Sequence, residues 1–290
     1  MVRRKRAARL LSRAELMELL IHAPSAERLP GDWESLFTGA GLEFHGLREM
    51  APADPYRHVD WRATARTGQP WVREFHADGT VDLMLLMDAS PSMAFENKAR
   101  LQANIAAALL MSASRGYNPC GLIRYDNRVR TVVPPARGGE HRFRLAEALL
   151  EPPAESGGGT DFAGALRRLI QRIPTGLVVI LSDFLHDISL PFSFGSRDLP
   201  HDVRAIQLLA GAEIHLPEGG NGFLPVSDSE TGRKGFLDSR RRREYARRMA
   251  DHHRSVRRNL AKAGIPLLQV STDTDFVAPL AGFLRRGRGR

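Results

Sequence analysis

The sequence predicts an open, mainly parallel, doubly wound α/β sheet with helices on both faces, and three observations lead there. The runs "TVDLMLLMD" (80–88) and "GLVVILSDF" (176–184) are almost continuously apolar, as strands are when a sheet is covered on both faces. Stretches with helical spacing of apolar residues follow or separate such runs, and this alternation builds parallel sheets. The chain is also long enough for a large core: it has 290 residues, 42% hydrophobic and 26% charged, which is ordinary globular composition.

Taken in order, residues 12–22 place Leu16, Leu19 and Leu20 on one helical face, with Ser12 as N-cap and Glu15 completing a capping box. Residues 30–78 are rich in Gly, Pro, Trp, Arg and His, and only "QPWVREF" alternates like a strand. This segment is expected to be an arm packed on something else. After the first buried strand, "ENKARLQANIAAALLMSASRGY" sets Leu101, Ile105, Ala108 and Leu109 on one helix face. In "CGLIRYDNRVRTVVP", Asp126-Asn127 divides two β-prone runs as a tight hairpin would.

A helix is expected over about 141–151. "ESGGGTDFAGALRRLIQRI" then gives a glycine-rich turn and a helix carrying Phe162, Leu166, Leu169 and Ile170. "DVRAIQLL" and "IPLLQVS" supply two further strands, with an inserted β-ribbon at about 212–238 and a basic helix at about 240–263 between them. The resulting division is a basic segment with a short helix (1–40), an arm (41–78), the α/β domain (79–285) and a disordered basic tail (286–290).

Lys and Arg number 42 against 33 Asp and Glu, a net charge of +9. An acidic partner fits that balance, whether an acidic protein face, nucleic acid or an anionic surface. The arginine runs "RRKR", "SRRRREYARR" and "LRRGRGR" also fit solvated helix faces and tails. One cysteine, Cys120, excludes an internal disulfide and fits a reducing compartment. The apolar residues after the basic start are interrupted by Arg9, Arg13, Glu15 and Glu18, so neither a secretory leader nor a membrane span is expected. The expected location is the cytoplasm.

In an open parallel sheet, ligands bind beyond the carboxyl ends of the strands, where strand order reverses. Three polar clusters fall at such places: Asp88, Ser90 and Ser92; Thr160 before its helix; and Ser182-Asp183. Singly, each has a plain structural reading. Ser92 or Asp88 could cap the following helix, Thr160 or Asp161 the next, and Asp183 could hold a turn. Together they offer hard oxygen ligands only, which suit Mg²⁺ or Mn²⁺ rather than zinc or copper.

Asp88-x-Ser90-x-Ser92, Gly158-Gly159-Thr160 and Asp183 resemble the metal-ion-dependent adhesion site of von Willebrand factor A domains. The resemblance implies a von Willebrand factor A-like sheet in which Ser90, Ser92 and Thr160 bind the metal through hydroxyls, while Asp88 and Asp183 bind through water or strengthen the first shell. Neutral hydroxyls leave a divalent ion electrophilic, so a partner's Glu or Asp would complete the site. The stretch "GLEFHGLREMAPADPYRHVDWRATARTGQPWVREF", with "LSDF" and "SETGRKGFLD…REYARRM", resembles the DUF58 family over about residues 41 to 285. That resemblance implies a cytoplasmic adaptor working with a MoxR-type AAA+ ATPase on a client protein.

Other residues invite weaker readings. Arg48, Asp54, Arg57, Asp60, Trp61 and Arg66 are the dense part of the arm; Trp61 and Trp71 are expected on the sheet edge with the Arg/Asp pairs satisfying one another, the alternative being a docking surface for the ATPase. His252 and His253 are expected at the surface, and His186 in the loop beside the site. An aspartyl-phosphate nucleophile at Asp88 would need a second Asp at the position of Ser90, and "ESGGGTDF" lacks the GK[ST] ending of a P-loop. The expectation is therefore a binding protein rather than an enzyme.

Overall fold

The computed structural model describes residues 43–50, 59–76, 81–115, 118–155, 159–170, 176–186, 201–214, 223–228 and 232–285. The helix expected at 12–22 and the tail at 286–290 lie outside them. The arm forms an antiparallel pair, β1 (Glu43–Glu49) with β2 (Trp71–His76). Between them runs α1 (Trp61–Thr67), capped by Asp60 Oδ1, which accepts the Ala63 amide at 3.0 Å. This helix was not expected, because a span of seven residues shows little periodicity. Trp61 is 68% exposed, which corrects its expected packing on the sheet edge.

The core strands are β3 (Leu83–Asp88), β4 (Cys120–Tyr125), β5 (Val129–Ala136), β6 (Gly176–Ser182), β7 (His201–Leu209) and, after the ribbon strands β8 (Leu224–Ser227) and β9 (Lys234–Leu237), β10 (Leu267–Ser271). Across the sheet the order is β10-β7-β6-β3-β4-β5. All neighbours are parallel except β4 and β5, the hairpin read from Asp126-Asn127. Pro134 and Pro135 fall in β5, an edge strand, where a missing N–H costs no ladder bond. Of the ribbon expected at about 212–238, the described residues form the antiparallel β8–β9 pair, while the start of that stretch is helical instead (Gly211–Ile214).

Because side chains alternate along a strand, β3 divides the core in two. Leu83, Leu85 and Met87 point to one face, under α2 (Lys98–Arg115), α3 (Gly139–Leu150) and α7 (Val277–Arg285). Met84 and Leu86 point to the other, under α4 (Phe162–Ile170) and α6 (Ser239–Lys262). A further short helix, α5 (Gly211–Ile214), follows β7. The sheet is thus covered on both faces, as the apolar runs required. α7 was not expected; Arg204 ties its end to the core by donating to Leu284 O at 2.6 Å.

α6 buries Val256 and Leu260 and leaves most of its arginines exposed. Two of them pair along the helix, Arg248 with Glu244 and Arg254 with Asp251. Among the described residues no helix is long and apolar enough to cross a membrane.

Gly121 shows how tightly β4 fits its neighbours. A Cβ there would meet Met84 Sδ at 2.4 Å, Val133 O at 2.6 Å and Pro135 N at 2.8 Å. Met84 can turn away, but the two backbone atoms cannot. Gly121→Ala is expected to lower stability by about 1–3 kcal/mol, read as a reduced urea midpoint with unchanged slope.

Candidate functional site

From β3 the chain builds outward to β4 and β5, then returns to β6 on the other side of β3 and continues to β7 and β10. The carboxyl ends of β3 and β6 therefore diverge, leaving the crevice in which open α/β sheets bind ligands. Gln102 of α2 holds this point together: its Nε2 donates to Asp88 O and to Leu181 O, each at 2.9 Å. Asp88 ends β3, Ser90 and Ser92 follow it, and all three are buried.

Asp88 Oδ1 accepts the Ser90 amide at 2.9 Å, and Oδ2 accepts the Ser182 hydroxyl at 2.6 Å. The Ser90 and Ser92 hydroxyl oxygens lie 3.0 Å apart. Ser92 stands inside a short 3₁₀ turn, and Ser90 precedes it without a side-chain cap bond. Asp88, which could have capped the following helix, instead turns its carboxylate to the Ser90 amide and the Ser182 hydroxyl.

Asp183 continues β6. Its Oδ1 accepts the Leu185 amide at 3.1 Å, so it does hold a turn, and its Oδ2 accepts from Lys98 Nζ at 2.7 Å. Lys98, fully buried at the start of α2, also donates to Glu213 Oε1 at 2.7 Å. Burial alone would lower the Lys98 pKa, but the two carboxylates more than offset it and the net direction is upward. Glu213 Oε2 in turn accepts the Ala210 amide at 2.9 Å.

Burial, and next the neighbouring Asp183, push Asp88 up to about 7 against the hydrogen bonds from Ser182 and Ser90. Tyr125 is wholly buried and its hydroxyl has no hydrogen bond of normal geometry; burial and then Asp88 raise its pKa well above the usual value. Positive φ at Glu96, Asn97 and Phe184 places backbone strain in the loops after both strands.

Thr160 is half-buried just before α4, in a loop tied to its neighbours on both sides: Ala154 N donates to Ala89 O at 2.8 Å and Asp161 N to Asp126 O at 2.7 Å. Asp161 rather than Thr160 caps α4, its Oδ1 accepting the Gly164 amide at 2.9 Å. Among the described residues no hydrogen bond joins Thr160 to the Asp88 cluster. The structure thus brings Asp88, Ser90, Ser92 and Asp183 to one edge, with the Thr160 loop alongside.

His186 Nδ1 is 3.9 Å from Asp88 Oδ2, closer to the acid than a loop role requires. His252 and His253 are half-buried, which corrects the surface expectation. His252 Nε2 donates to Phe184 O at 2.7 Å, and Gln207 Nε2 donates to His253 Nδ1 at 3.2 Å. Burial, with His252 next, lowers the His253 pKa, in keeping with that acceptor role.

Lys98, Gln102 and Glu213 were missed in the sequence. One signal was available: Lys98 and Gln102 occupy the stripe of Leu101 and Ile105 on an apolar helix, where a polar side chain must find a buried partner. Among the described residues no three His, Cys, Asp or Glu side chains group as a metal centre. Any metal here would rely on hydroxyls as well as carboxylates. The hydroxyl pair fits that role, since neighbouring ligands about 2.1 Å from an octahedral Mg²⁺ lie about 3 Å apart.

A family model described as "Protein of unknown function DUF58" matches residues 46–255. The chain belongs to the DUF58 family. Rv1480 of Mycobacterium tuberculosis and Mb1516 of Mycobacterium bovis, both titled uncharacterized proteins, are each 32% identical over 290 residues, spanning 96% of this DUF58 chain and 91% of the relative. YeaD of Bacillus subtilis is 29% identical over 96 residues, 33% of this chain and 23% of its own. Among solved structures, the conserved hypothetical protein BatB from Bacteroides thetaiotaomicron aligns with a TM-score of 0.40 at 11% identity, covering 71% of this chain and 98% of that one.

Two outcomes test the electrostatics. Lys98→Met leaves Asp183 and Glu213 without their cation and is expected to cost about 3–5 kcal/mol in urea unfolding; adding Asp183→Asn and Glu213→Gln should recover most of it. For Asp88 the folded pKa of about 7 lies above the ordinary carboxylate value of 3.8, so between those pH values the native state holds the extra proton. With chelator present, the Asp88 contribution to stability should fall as pH rises from about 4 to about 7 and then level. Asp88→Asn should remove that slope in pH-dependent thermal melts.

Proposed function

We propose that this protein is a metal-ion-dependent protein–protein interaction module with a von Willebrand factor A-like site. Asp88, Ser90, Ser92 and Thr160 would hold Mg²⁺ or Mn²⁺, with Asp183 contributing charge from behind. The observation that carries the reading is a buried imbalance at the crevice: Asp183 and Glu213 share one buried ammonium, Lys98, while the third buried carboxylate, Asp88, has no part in that pairing and lies beside two serine hydroxyls 3.0 Å apart. Burying an acid excess is costly unless a cation accompanies it, and a divalent ion would balance the remaining formal charge.

The bonds already made divide the labour. Both Asp183 oxygens are engaged, by Lys98 and by the Leu185 amide, which supports an indirect role for it. Asp88 keeps its carboxylate aligned through Ser90 and Ser182. When bound, the ion would supply an electrophilic position suited to a carboxylate of the partner. Phe95 and Leu185, 42% and 37% exposed on the two strained loops, offer apolar contact beside it. This arrangement grips a protein and asks for no bond to be broken, so we read the chain as an adaptor rather than an enzyme.

The identity of the machinery rests on the family resemblance: a MoxR-type AAA+ ATPase acting with this adaptor on a client that offers a Glu or Asp. Saturating Mg²⁺ at a hundred times its dissociation constant should stabilise the protein by about 2.7 kcal/mol, seen as a raised melting temperature that Asp88→Ala abolishes. Tagged protein purified from its native cells should retain an ATPase in Mg²⁺ and lose it in EDTA. No Mg²⁺ or Mn²⁺ shift, with partner capture indifferent to both EDTA and Asp88→Ala, would sink the proposal.

A further inference from the structure

We propose a second site, for a single phosphate group, at the opposite end of the sheet. A cavity of about 190 Å³ there is lined by residues that include Ser114, Asn118, Cys120, Arg137, His141 and Arg142. Cys120 opens β4 and pairs with Leu83 at the start of β3. Asp88, five residues further along β3, is therefore about 17 Å away at roughly 3.3 Å per residue. The cavity is separate from the acid–hydroxyl cluster, and this inference does not depend on a metal being bound there.

Two guanidinium groups line one small space without a counter-ion. Among the described residues, neither Arg137 nor Arg142 has a carboxylate within 4 Å, and neither side chain makes a hydrogen bond. Asp82 is near enough for Arg137 to influence it but not to pair with it. Glu140, the acid next to the cavity in sequence, is occupied by Arg144 at 2.6 Å. A solvated surface arginine needs no partner, but the Arg142 Nε is shut off from water and still has none. A donor that has lost its water is completed by an acceptor entering the cavity.

The remaining lining suits an oxyanion. His141 Nε2 donates to Cys120 O at 2.7 Å, because a carbonyl can only accept, and the bond fixes the ring. Helix α3 begins at this wall, and Gly138 before it has φ 104° and no side chain to cap the first-turn amides. A Cβ on Gly138 would meet nothing within 4 Å, and one on Gly139 only Arg142 Nη2 at 3.9 Å, so the approach is open. These amides add positive potential to that of the arginines, and paired guanidiniums recognise tetrahedral oxygens well. Drug-sized ligands fill about 300–1,000 Å³, so 190 Å³ suits one phosphate group, either free or at the end of a larger molecule.

The test is calorimetric titration of the full chain, in EDTA and chloride buffer, with inorganic phosphate, pyrophosphate and AMP. Saturable phosphate binding is expected, weakened at least tenfold by Arg142→Gln and unchanged by Asp88→Ala. AMP or pyrophosphate binding as well as phosphate would assign the group to a larger ligand, whereas phosphate alone would assign the free ion. Gly139→Asp places a carboxylate at the helix start, and is expected to raise the melting temperature while abolishing phosphate binding. That variant keeps the test decisive if Arg142→Gln folds poorly. No saturable heat with any of the three ligands, or binding undiminished in both variants, would overturn the assignment.

Discussion

Lys98 stands fully buried between Asp183 and Glu213, 2.7 Å from each, and much of the crevice is organised by that charge. The three residues belong to the start of α2, the end of β6 and the short α5 after β7, segments far apart in sequence. Bringing three charges out of water carries a desolvation cost that their attraction only partly repays, so the triad is poor evidence for stability as such. What it enforces is position. Any movement of one segment leaves an unpaired charge in the interior, and the two strand ends are held at fixed separation. Gln102, one turn along α2, repeats the constraint with two backbone carbonyls.

That rigidity makes an unbalanced acid next door tolerable. Asp88 is fixed by the Ser90 amide and the Ser182 hydroxyl while Asp183 faces Lys98, so the two carboxylates cannot rotate apart to relieve each other. Their mutual effect remains in the raised Asp88 pKa. Residues with positive φ on either side, Glu96, Asn97 and Phe184, show the same economy in the backbone: strain persists where surrounding contacts over-determine it. The apolar layers beneath supply that support, with Phe162 and Phe184 packed edge to face at 6.2 Å.

The core architecture was legible because burial on both faces leaves a signature that local sequence cannot hide. β3 and β6 are continuous apolar runs, and the Asp126-Asn127 turn marks its own hairpin. α1 was not legible, since seven residues give periodicity too little length, and neither was α7, whose securing contact comes from Arg204 in a distant strand. At the site, Asp88, Ser90, Ser92 and Asp183 were visible from spacing and from their place after apolar strands. Lys98 and Glu213 were not: their meaning lies in a pairing across 115 residues, which no local pattern encodes. Trp61 was misjudged for a related reason, because an aromatic residue in a polar arm carries no information about which surface it reaches.

The two ends of the sheet carry opposite chemistry for a reason rooted in parallel topology. Antiparallel strands mix their ends, whereas β3, β4 and β6 all finish at the acid–hydroxyl edge and all begin at the other. Connections into the strands and connections out of them are thereby segregated, and each set can evolve its own charge. The separation along β3 is about 17 Å, beyond the Debye length of about 8 Å at physiological ionic strength, so solvent-exposed charges at one end scarcely affect the other. Any communication between the ends would have to pass through packing: β3 and β4 are registered residue for residue from Leu83–Cys120 to Asp88–Tyr125, and Gly121 leaves no room for them to slide. A shift at the α3 end would therefore reach Tyr125 and Asp88 as movement of the whole strand pair, which is the physical route by which two electrically independent sites could act on one another.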